Sequence, residues 1–328
     1  MKPTSVKSSF LLGIVSAALA SASPAAAGGS PAPAGAAIRV GTYNIRHSRG
    51  GGKLIDQLDG ENFWELRKAD TAALIRRLDL DVFGLQEVYP EQLKYLRETL
   101  TDYEFVGDHR EADRKSGEAS PVCYRKSRFT AEKKGTFWLS ETPDVPGSKS
   151  WSTAATRICS YLILRDGKTG RKLCFANTHT DHRSELAREK GMLLVIERMK
   201  TFGEGAPVIF IGDHNCYETS APSKAVSKIL RSALFVSETP PKGSWRTFNG
   251  WCWRDRETSI AEALRETPER RNGKEYRKMI GGCRIDYIYV EPGTRVLDYE
   301  TVNETRPGKK LYPSDHFPVV ATVVLKGG

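Results

Sequence analysis

Several features that would place the chain in a specialised class of protein are missing from its 328 residues. Six cysteines are too few for a fold held together by disulfides, and the composition matches neither collagen nor a disordered protein. The longest apolar run, 10–20, has about a dozen residues, whereas a transmembrane helix needs about 20. We therefore expect no integral contact with a membrane.

Motifs for several common sites are also missing. The sequence contains no Cys-x-x-Cys or His-Glu-x-x-His spacing, which would indicate zinc. The glycine run 50–52 lacks the Lys-Ser/Thr pair of a phosphate-binding loop. No internal repeat is visible. These absences exclude zinc proteases, nucleotide-binding loop proteins and repeat proteins.

The N-terminus has the pattern of a secretory signal. Lys2 and Lys7 precede the apolar run, and two Ala-x-Ala sites end at Ala22 and Ala27. We predict a signal peptide over 1–27, which implies a secreted or periplasmic protein; the alternative is a buried N-terminal helix. A Gly-, Pro- and Ala-rich linker, 28–37, follows. No later linker divides the chain, so 38–328 is expected to form one domain.

The chain is basic, with 50 Lys and Arg against 40 Asp and Glu and a net charge of +10. Such a protein attracts polyanions, including nucleic acid, anionic lipid head groups and phosphorylated sugars. Part of the charge falls in 265–284. This segment either borders a binding site or is solvated surface. If the charge matters for binding, the segment should border the site.

Short β-branched and aromatic runs alternate with helical patterns, which indicates an α/β fold. The turn residues Asp166-Gly167 and Thr169-Gly170 predict a hairpin, so the sheets are expected to be mixed. The predicted helices are 63–78, 90–100, 185–200 and 223–230. The predicted strands are 38–45, 81–88, 121–124, 136–139, 158–164, 172–178, 208–211, 285–290 and 317–324.

Polar residues occur where these apolar strands end. A buried carboxylate or amide is costly unless it meets a metal, a cation or a hydrogen-bond partner, so the set indicates a shared polar pocket. Oxygen ligands suit Mg²⁺, Mn²⁺ or Ca²⁺ better than zinc. Taken singly, each residue also fits a strand cap, a surface ion pair or a loop hydrogen bond. The residues are Asn44, Glu87, His179, Asp213, Asn215, Asp286, Asp315 and His316.

In chain order, the motifs are similar to those of a known superfamily. They are Thr-Tyr-Asn-Ile, Gln-Glu-Val, Asn-Thr-His, Gly-Asp-x-Asn, Ile-Asp-Tyr-Ile and Ser-Asp-His. This order resembles the endonuclease/exonuclease/phosphatase superfamily, which includes deoxyribonucleases, abasic-site endonucleases, deadenylases, sphingomyelinases and inositol-phosphate phosphatases. The stretch 135–151 looks like a bacterial and fungal branch, here a secreted one. The resemblance implies a four-layer α/β sandwich with two mixed β-sheets flanked by helices.

The same resemblance implies a role for each residue in a metal-dependent hydrolase that uses an activated water. Glu87 would be the principal ligand of Mg²⁺, or of Mn²⁺ or Ca²⁺, with Asn44 and Asp315 supporting it. Asp286 would orient His316, while Asp213 and Asn215 would orient the attacking water.

On the other side of the phosphate, the resemblance implies His179 as acid or hydrogen-bond donor, oriented by Glu118. Arg157 would grip the phosphate, and so would Arg46. The roles of Asp181, His182 and His214 stay open. His214 also departs from the family pattern, which usually has an aromatic residue there.

The substrate is less well defined. Charge favours a nuclease-like phosphodiesterase acting on nucleic acid; the alternatives are an enzyme for sugar phosphates or phospholipid head groups, or a non-catalytic binding module on the same fold. Cys283 stands where abasic-site enzymes have a Trp, which argues against that activity. The aromatic run 248–253 fits base stacking, a lipid interface or core packing. The insertion 254–282 is expected to affect specificity.

The cysteines leave two disulfides open. Cys252 and Cys283 bracket the insertion, and Cys159 and Cys174 lie on the two strands of the predicted hairpin. Buried thiols are an equally good interpretation for Cys123 and Cys216. The oligomeric state is not indicated by the sequence.

Overall fold

The strands come from the apolar runs of the sequence and form two mixed sheets. The computed structural model describes Met1, residues 36–48 and residues 60–326. The predicted signal peptide and all of the predicted linker up to residue 35 lie outside these residues. The strands are β1 (Ala37–Asn44), β2 (Val82–Gln86), β3 (Tyr103–Val106), β4 (Val122–Arg125), β5 (Phe129–Trp138), β6 (Ile158–Asp166), β7 (Lys172–His179), β8 (Val208–Asp213), β9 (Arg231–Ser232), β10 (Lys242–Gly243), β11 (Asp286–Val290), β12 (Arg295–Thr301) and β13 (Val319–Val324).

Seven α-helices lie within the described residues. Four of them match the predicted helices to within a few residues at each end, and the other three are short and lie in the insertion after residue 254. The helices are α1 (Trp64–Leu78), α2 (Pro90–Thr99), α3 (Glu185–Gly203), α4 (Ala221–Ser227), α5 (Ile260–Ala263), α6 (Pro268–Arg271) and α7 (Lys274–Ile280). None of the helices that the structure describes is long and apolar enough to cross a bilayer.

The two sheets have seven and six strands. Their orders are β10-β12-β13-β1-β2-β4-β3 and β5-β6-β7-β8-β11-β9. The central pairs β1–β2 and β7–β8 are parallel, whereas most other pairs are antiparallel. Because β1, β2, β7 and β8 each lie at or near the middle of a sheet, their carboxyl ends are well placed to form a site.

Three apolar cores separate four layers. One core lies between the sheets and includes Val40 of β1 and Ile211 of β8. A second packs α1 and α2 against the outer side of the first sheet, around Leu85. The third packs α3 against the second sheet, around Phe210. The predicted α/β sandwich of two mixed sheets flanked by helices is therefore confirmed, and the described residues from 36 to 326 group in one compact unit.

Four strands were not predicted, and β5 is longer than expected. β9 and β10 have two residues each, and β3 has four. β5 is an edge strand that begins at Phe129, and its exposed residues include Lys133 and Lys134. Edge strands commonly carry lysine, which protects them from pairing with other chains. The first part of β5 was not predicted, because its charged residues interrupt the alternation of apolar residues on which the prediction depended.

Neither of the two disulfides left open by the sequence forms, because all six cysteines are free thiols. On the confirmed β6–β7 hairpin, Cys159 faces Thr178, and Cys174 faces Ile163. The two thiols are therefore four residues apart along the ladder, which is roughly 13 Å and too far for a disulfide. Cys252 is exposed and Cys283 is half-buried.

Buried polar groups join the two sheets beneath the site. Asn177 of β7 donates from its amide to the carbonyls of Leu85 and Pro121, and Gln86 donates to the amide oxygen of Asn177. This close approach explains Gly84 in β2, where a Cβ would lie 2.4 Å from the Cγ atom of Asn177. Only glycine leaves room for the bridge.

Replacing Gly84 with Ala should therefore lower the free energy of unfolding by about 1–3 kcal/mol, because the added methyl group overpacks the seam between the sheets. Urea unfolding measures the change. Gly41→Ala is the matched control in the neighbouring strand, where the new methyl group meets mainly the rotatable end of Leu80. Equal losses in the two variants would contradict this account of the seam.

Candidate active site

The polar residues predicted from the strand ends meet at one edge of the two sheets. Asn44 ends β1, Glu87 follows β2, His179 ends β7, and Asp213 ends β8. They line or border a cleft of about 740 Å³. The cleft is lined by Arg46, His47, Glu87, Arg110, Glu118, Ala155, Arg157, His179, His182, Asp213, Asn215, Tyr217, Phe248, Gly250, Trp251, Cys283, Ile285, Asp315 and His316.

At the floor of the cleft, the amide of Asn44 holds two carboxylates. Its Nδ2 atom donates to Oε1 of Glu87 and to Oδ2 of Asp213, both at 3.0 Å. Glu87 has a φ of +62°, a strained conformation for a residue other than glycine. Its other oxygen, Oε2, accepts from the backbone N–H of His47 at 3.1 Å. This strained backbone conformation directs the carboxylate of Glu87 into the cleft.

His316 and Asp286 form a buried pair beside Asp213. Nδ1 of His316 lies 2.9 Å from Oδ2 of Asp286, and Nε2 lies 3.7 Å from Oδ2 of Asp213. The register of β11 with β8 places Asp286 opposite Asp213. The pairing fixes the imidazole ring, so its Nε2 atom is directed to the same point as the carboxylate of Asp213.

The second histidine lies on the other side of Asp213. Nε2 of His179 is 3.5 Å from Oδ2 of Asp213 and 2.9 Å from Nδ2 of Asn215. Its Nδ1 is 3.6 Å from Oε2 of Glu118. Asn215 has a φ of +45°, and its backbone N–H donates to Oδ1 of Asp213. The structure thus brings His179, Glu118 and Asn215 together as a second group.

Cationic side chains complete the cleft. Arg46 lies 3.8 Å from both Glu87 and Asp315, and Arg157 lies 3.7 Å from Glu118. Arg157 is buried, and its Nε has no hydrogen-bond partner. That Nε lies 4.0 Å from Oδ2 of Asp181, so the guanidinium is held between the carboxylates of Glu118 and Asp181.

The pKa values of the cleft carboxylates are shifted in opposite directions. Burial opposes ionisation of Glu87, but the charges of His179, His47 and Arg46 hold its pKa well below the ordinary value. Burial is again the largest effect at Glu118, yet His179 and Arg110 bring the pKa of Glu118 to about 2. Both groups are therefore ionised at neutral pH.

The opposite holds for the carboxylates closest to His316. Burial raises the pKa of Asp213 against the charge of His179, and burial raises the pKa of Asp315 against the charge of His316. For His316, burial is outweighed by the charges of Asp286 and Asp213, which raise its pKa to about 10. The imidazole is therefore a cation that can donate to an anionic substrate.

The arrangement fits a divalent cation. Single oxygen or nitrogen atoms of Glu87, Asp213 and His316 all lie within 4.8 Å of one another. The two carboxylates can therefore hold a common ion, while the His316 cation faces an anion bound beside it. Most of the donors are carboxylate oxygens, which suits Mg²⁺ or Mn²⁺. Glu87 is the one residue that belongs both to this converging group and to the predicted metal ligands. The other two predicted ligands, Asn44 and Asp315, lie beside it: Asn44 donates to the carboxylates, and Asp315 is 3.8 Å from Arg46.

Two cleft residues were missed by the sequence analysis. Arg110 donates to Glu118 at 2.7 Å, and His47 lies 3.8 Å from Glu87. Neither ends a strand or belongs to a motif of the superfamily, so no available signal pointed to Arg110. His47 follows Arg46 directly, and an extension of the first motif by two residues would have included it.

The three residues whose roles were open have different environments. Asp181 accepts backbone N–H groups of Ala154 and Ser184 and so joins two loops. His182 lines the cleft, 3.2 Å from Arg157. His214 is fully buried and stacks on Tyr287 and Tyr289.

The basic segment 265–284 makes little direct contact with the cleft. Only Cys283 of this segment is among the lining residues in the described part of the chain. Arg271 is paired with Glu218, and Arg284 is buried over Trp245. Arg277 stacks on Tyr217, which lines the cleft. Two arginines of the segment are thus buried in the fold, whereas its other basic residues lie on the surface outside the cleft lining.

A family model described as "Endonuclease/Exonuclease/phosphatase family" matches residues 41–316. Among curated proteins, human tyrosyl-DNA phosphodiesterase 2 is 27% identical over 163 residues, which cover 49% of this chain and 40% of that protein. The chain spans only a third to two fifths of the length of the curated relatives it matches.

Two solved structures from Bacteroides thetaiotaomicron are similar over nearly the whole described chain. One is an endonuclease/exonuclease/phosphatase family protein with a TM-score of 0.74 and 32% identity, covering 89% of this chain and 98% of that one. The other is a mannosyl-6-phosphatase with a TM-score of 0.73 and 33% identity, covering 88% and 99%.

Replacing Glu118 with Gln should lower kcat about 10–100-fold, because the neutral amide no longer orients His179 as the carboxylate does. KM should change by less than about threefold. Glu111→Gln is the matched control, because Glu111 also pairs with Arg110 but is only half-buried and lies outside the cleft. Steady-state kinetics measure kcat and KM of both variants. Equal activities of the two variants would contradict a role for Glu118.

His214 should make the fold sensitive to acid. Burial lowers the pKa of His214 to about 3, whereas histidine in an unfolded chain has a pKa of about 6.5. Below that value the unfolded chain binds a proton that the folded chain refuses. The free energy of unfolding therefore falls as pH drops from about 6.5 towards 3 and is unaffected by this group at higher pH.

His214→Phe removes this proton-binding difference. Between pH 7 and pH 5, the wild type should lose about 2 kcal/mol more of its unfolding free energy than the variant. Urea unfolding at the two pH values measures it. Identical pH dependence in the two proteins would show that His214 is not the acid-sensitive group.

Proposed function

Because the chain belongs to the Endonuclease/Exonuclease/phosphatase family, we propose that it is a secreted, divalent-metal-dependent phosphomonoesterase that acts on a phosphorylated sugar. That it is a phosphoesterase follows from the family; the metal, the export and the substrate class are the proposal. One observation carries it: Glu87, Asp213 and His316 converge in a cleft whose walls hold the arginines Arg46 and Arg157.

The residues present fit a bound divalent ion, with Glu87 as principal ligand and the carboxylates of Asp213 and Asp315 beside it, while the His316 cation faces the phosphate rather than the ion. Such an ion would polarise a phosphoryl oxygen and stabilise charge on the leaving oxygen. Asn44 holds the carboxylates of Glu87 and Asp213 at their separation.

The remaining site residues would bind the phosphate and direct water. Asp213 and Asn215 orient the attacking water towards phosphorus, without a covalent enzyme intermediate. The His316 cation, fixed by Asp286, donates to a phosphoryl oxygen. His179, backed by Glu118, donates from the opposite side.

The size and charge of the cleft favour a small monoester over a polymer. A dianionic phosphate suits a site with arginines on two walls, and about 740 Å³ accommodates a compact ligand. An extended basic groove leading into the cleft would favour nucleic acid, but no basic residue of 265–284 is among the described residues that line the cleft, and Arg271 is paired with Glu218 in a buried ion pair. The 33% identity with a mannosyl-6-phosphatase also supports a sugar phosphate.

A nuclease-like phosphodiesterase is the second candidate. It is supported by the net charge of +10 and by the similarity to tyrosyl-DNA phosphodiesterase 2. Export is supported by the signal-like sequence before Gly28.

A substrate panel tests the proposal. We expect Mg²⁺-stimulated, EDTA-sensitive hydrolysis of hexose 6-phosphates and nitrophenyl phosphate, faster than that of bis-nitrophenyl phosphate, plasmid DNA, RNA or sphingomyelin. Parallel assays with Mn²⁺ and Ca²⁺ identify the preferred ion. Preferential cleavage of nucleic acid, weakening steeply with salt, would instead support the second candidate.

In the same assay, Asp213→Ala and His316→Ala should each lower kcat/KM about 10³-fold or more, because each removes a group that contacts the reacting phosphate. Asp255→Ala is the control, because Asp255 is exposed and outside the cleft. Wild-type activity in both cleft variants would exclude this mechanism, and circular dichroism checks that they are folded.

A further inference from the structure

The loop that carries Trp251 forms one wall of the cleft and has an unusual backbone. Trp251 has a φ of +64°, and the preceding Gly250 has a φ of +57°. Glycine adopts this conformation freely, but a bulky residue seldom does. Strain at such a residue is kept where the surrounding structure fixes it, commonly at ligand sites. Trp251 is half-buried and lines the cleft.

Hydrogen bonds attach this loop directly to the catalytic segment. The backbone N–H groups of Asn249 and Gly250 donate to the carbonyl of Asp315 at 2.8 and 3.1 Å. The side chain of Asn249 donates to the carbonyl of Ser314 and accepts from the N–H of Trp251 at 2.9 Å. The position of Trp251 is therefore coupled to that of His316, the next residue after Asp315.

A buried arginine holds the indole ring from the other side of the site. The guanidinium carbon of Arg67 lies 5.5 Å from the ring centroid of Trp251. The same guanidinium donates to the carbonyls of Ile45, Arg46 and Pro313 at 2.5, 2.7 and 3.1 Å. Arg67 thus fixes the ring relative to the segment after β1 and to the segment that leads to Asp315 and His316.

The other aromatic residues of the cleft are engaged with protein groups. Phe248 packs edge-on against His316 at 5.0 Å. Arg277 lies 4.3 Å from the Tyr217 ring, closer than the 5.5 Å that separates Arg67 from the Trp251 ring. Among the cleft residues that the structure describes, Trp251 carries the one indole and so offers the largest ring to a substrate.

We propose that Trp251 is the platform on which the sugar ring of the substrate stacks while its phosphate lies at Glu87 and His316. The inference rests on the proposed function and adds the residue that makes the enzyme prefer a substrate with a sugar ring. A pyranose presents an apolar C–H face to an indole and hydroxyl groups at its edge. The cleft provides Arg110, Arg157 and His182 as polar partners for those hydroxyls.

A sugar fits these observations better than a chain of bases. Binding of single-stranded nucleic acid uses several stacking rings along a basic groove, whereas this cleft offers one such ring. The neighbouring Trp253 is not among the lining residues and is covered by Lys310 at 4.3 Å. Trp253 is therefore a matched control two residues away.

The test compares wild type, Trp251→Ala, Trp251→Phe and Trp253→Ala on mannose 6-phosphate, glucose 6-phosphate and the acyclic glycerol 3-phosphate. Trp251→Ala should lower kcat/KM for the hexose phosphates about 10–100-fold, mainly through KM, and for glycerol 3-phosphate less than about threefold. Trp251→Phe should recover most of the loss, and Trp253→Ala should match the wild type.

The outcomes separate the inference from the proposed function. Equal loss on all three substrates, or no loss on any, would overturn the platform while leaving the phosphatase intact. A selective loss on an adenosine 5′-monophosphate probe, with hexose phosphates unaffected, would show that the ring binds a base and would also overturn it. No hydrolysis of any monoester by the wild type would overturn the proposed function itself.

Discussion

One amide group holds the site together. Nδ2 of Asn44 donates at once to Glu87, which follows a strand of the seven-stranded sheet, and to Asp213, which ends a strand of the six-stranded sheet. Two buried carboxylates at such a seam would repel each other if no donor lay between them. The apolar core and the Asn177 bridge hold the sheets together, and the Asn44 contact sets the separation of the two carboxylates at their edge.

The charges around this contact are only partly balanced within the protein. Glu87 and Glu118 are held ionised by histidines and arginines, and His316 is held as a cation by Asp286 and Asp213. Arg157 lies buried with an unsatisfied Nε. A site with spare cationic donors on its walls and clustered carboxylates at its floor suits a phosphate above a divalent ion. Burying these charged groups costs free energy of folding, and the fold confines them to one edge of the two sheets.

Strand ends and motif order were enough to predict the architecture and the group of residues that meet at the cleft. These features are local: a polar residue after an apolar run marks a strand end whatever the tertiary structure. The supporting residues were not predictable in this way. Arg67 on α1 acts through backbone carbonyls far away in the chain, and Asn249 acts through those of Ser314 and Asp315. Such contacts depend on how the loops pack, and the periodicity of apolar side chains does not predict them. The same limit applies to net charge, because the composition does not indicate that Arg271 and Arg284 are buried or that the exposed basic residues of 265–284 lie outside the cleft lining.

The central claim is that Glu87 and Asp213 bind a divalent ion beside which a phosphate group is positioned, and that the His316 cation donates to that phosphate. Anomalous diffraction from crystals soaked in Mn²⁺ and inorganic phosphate tests it most directly. The account predicts an anomalous peak within bonding distance of Glu87, with phosphate density between His179 and His316. An ion bound away from Glu87, or phosphate bound only in another pocket, would contradict it.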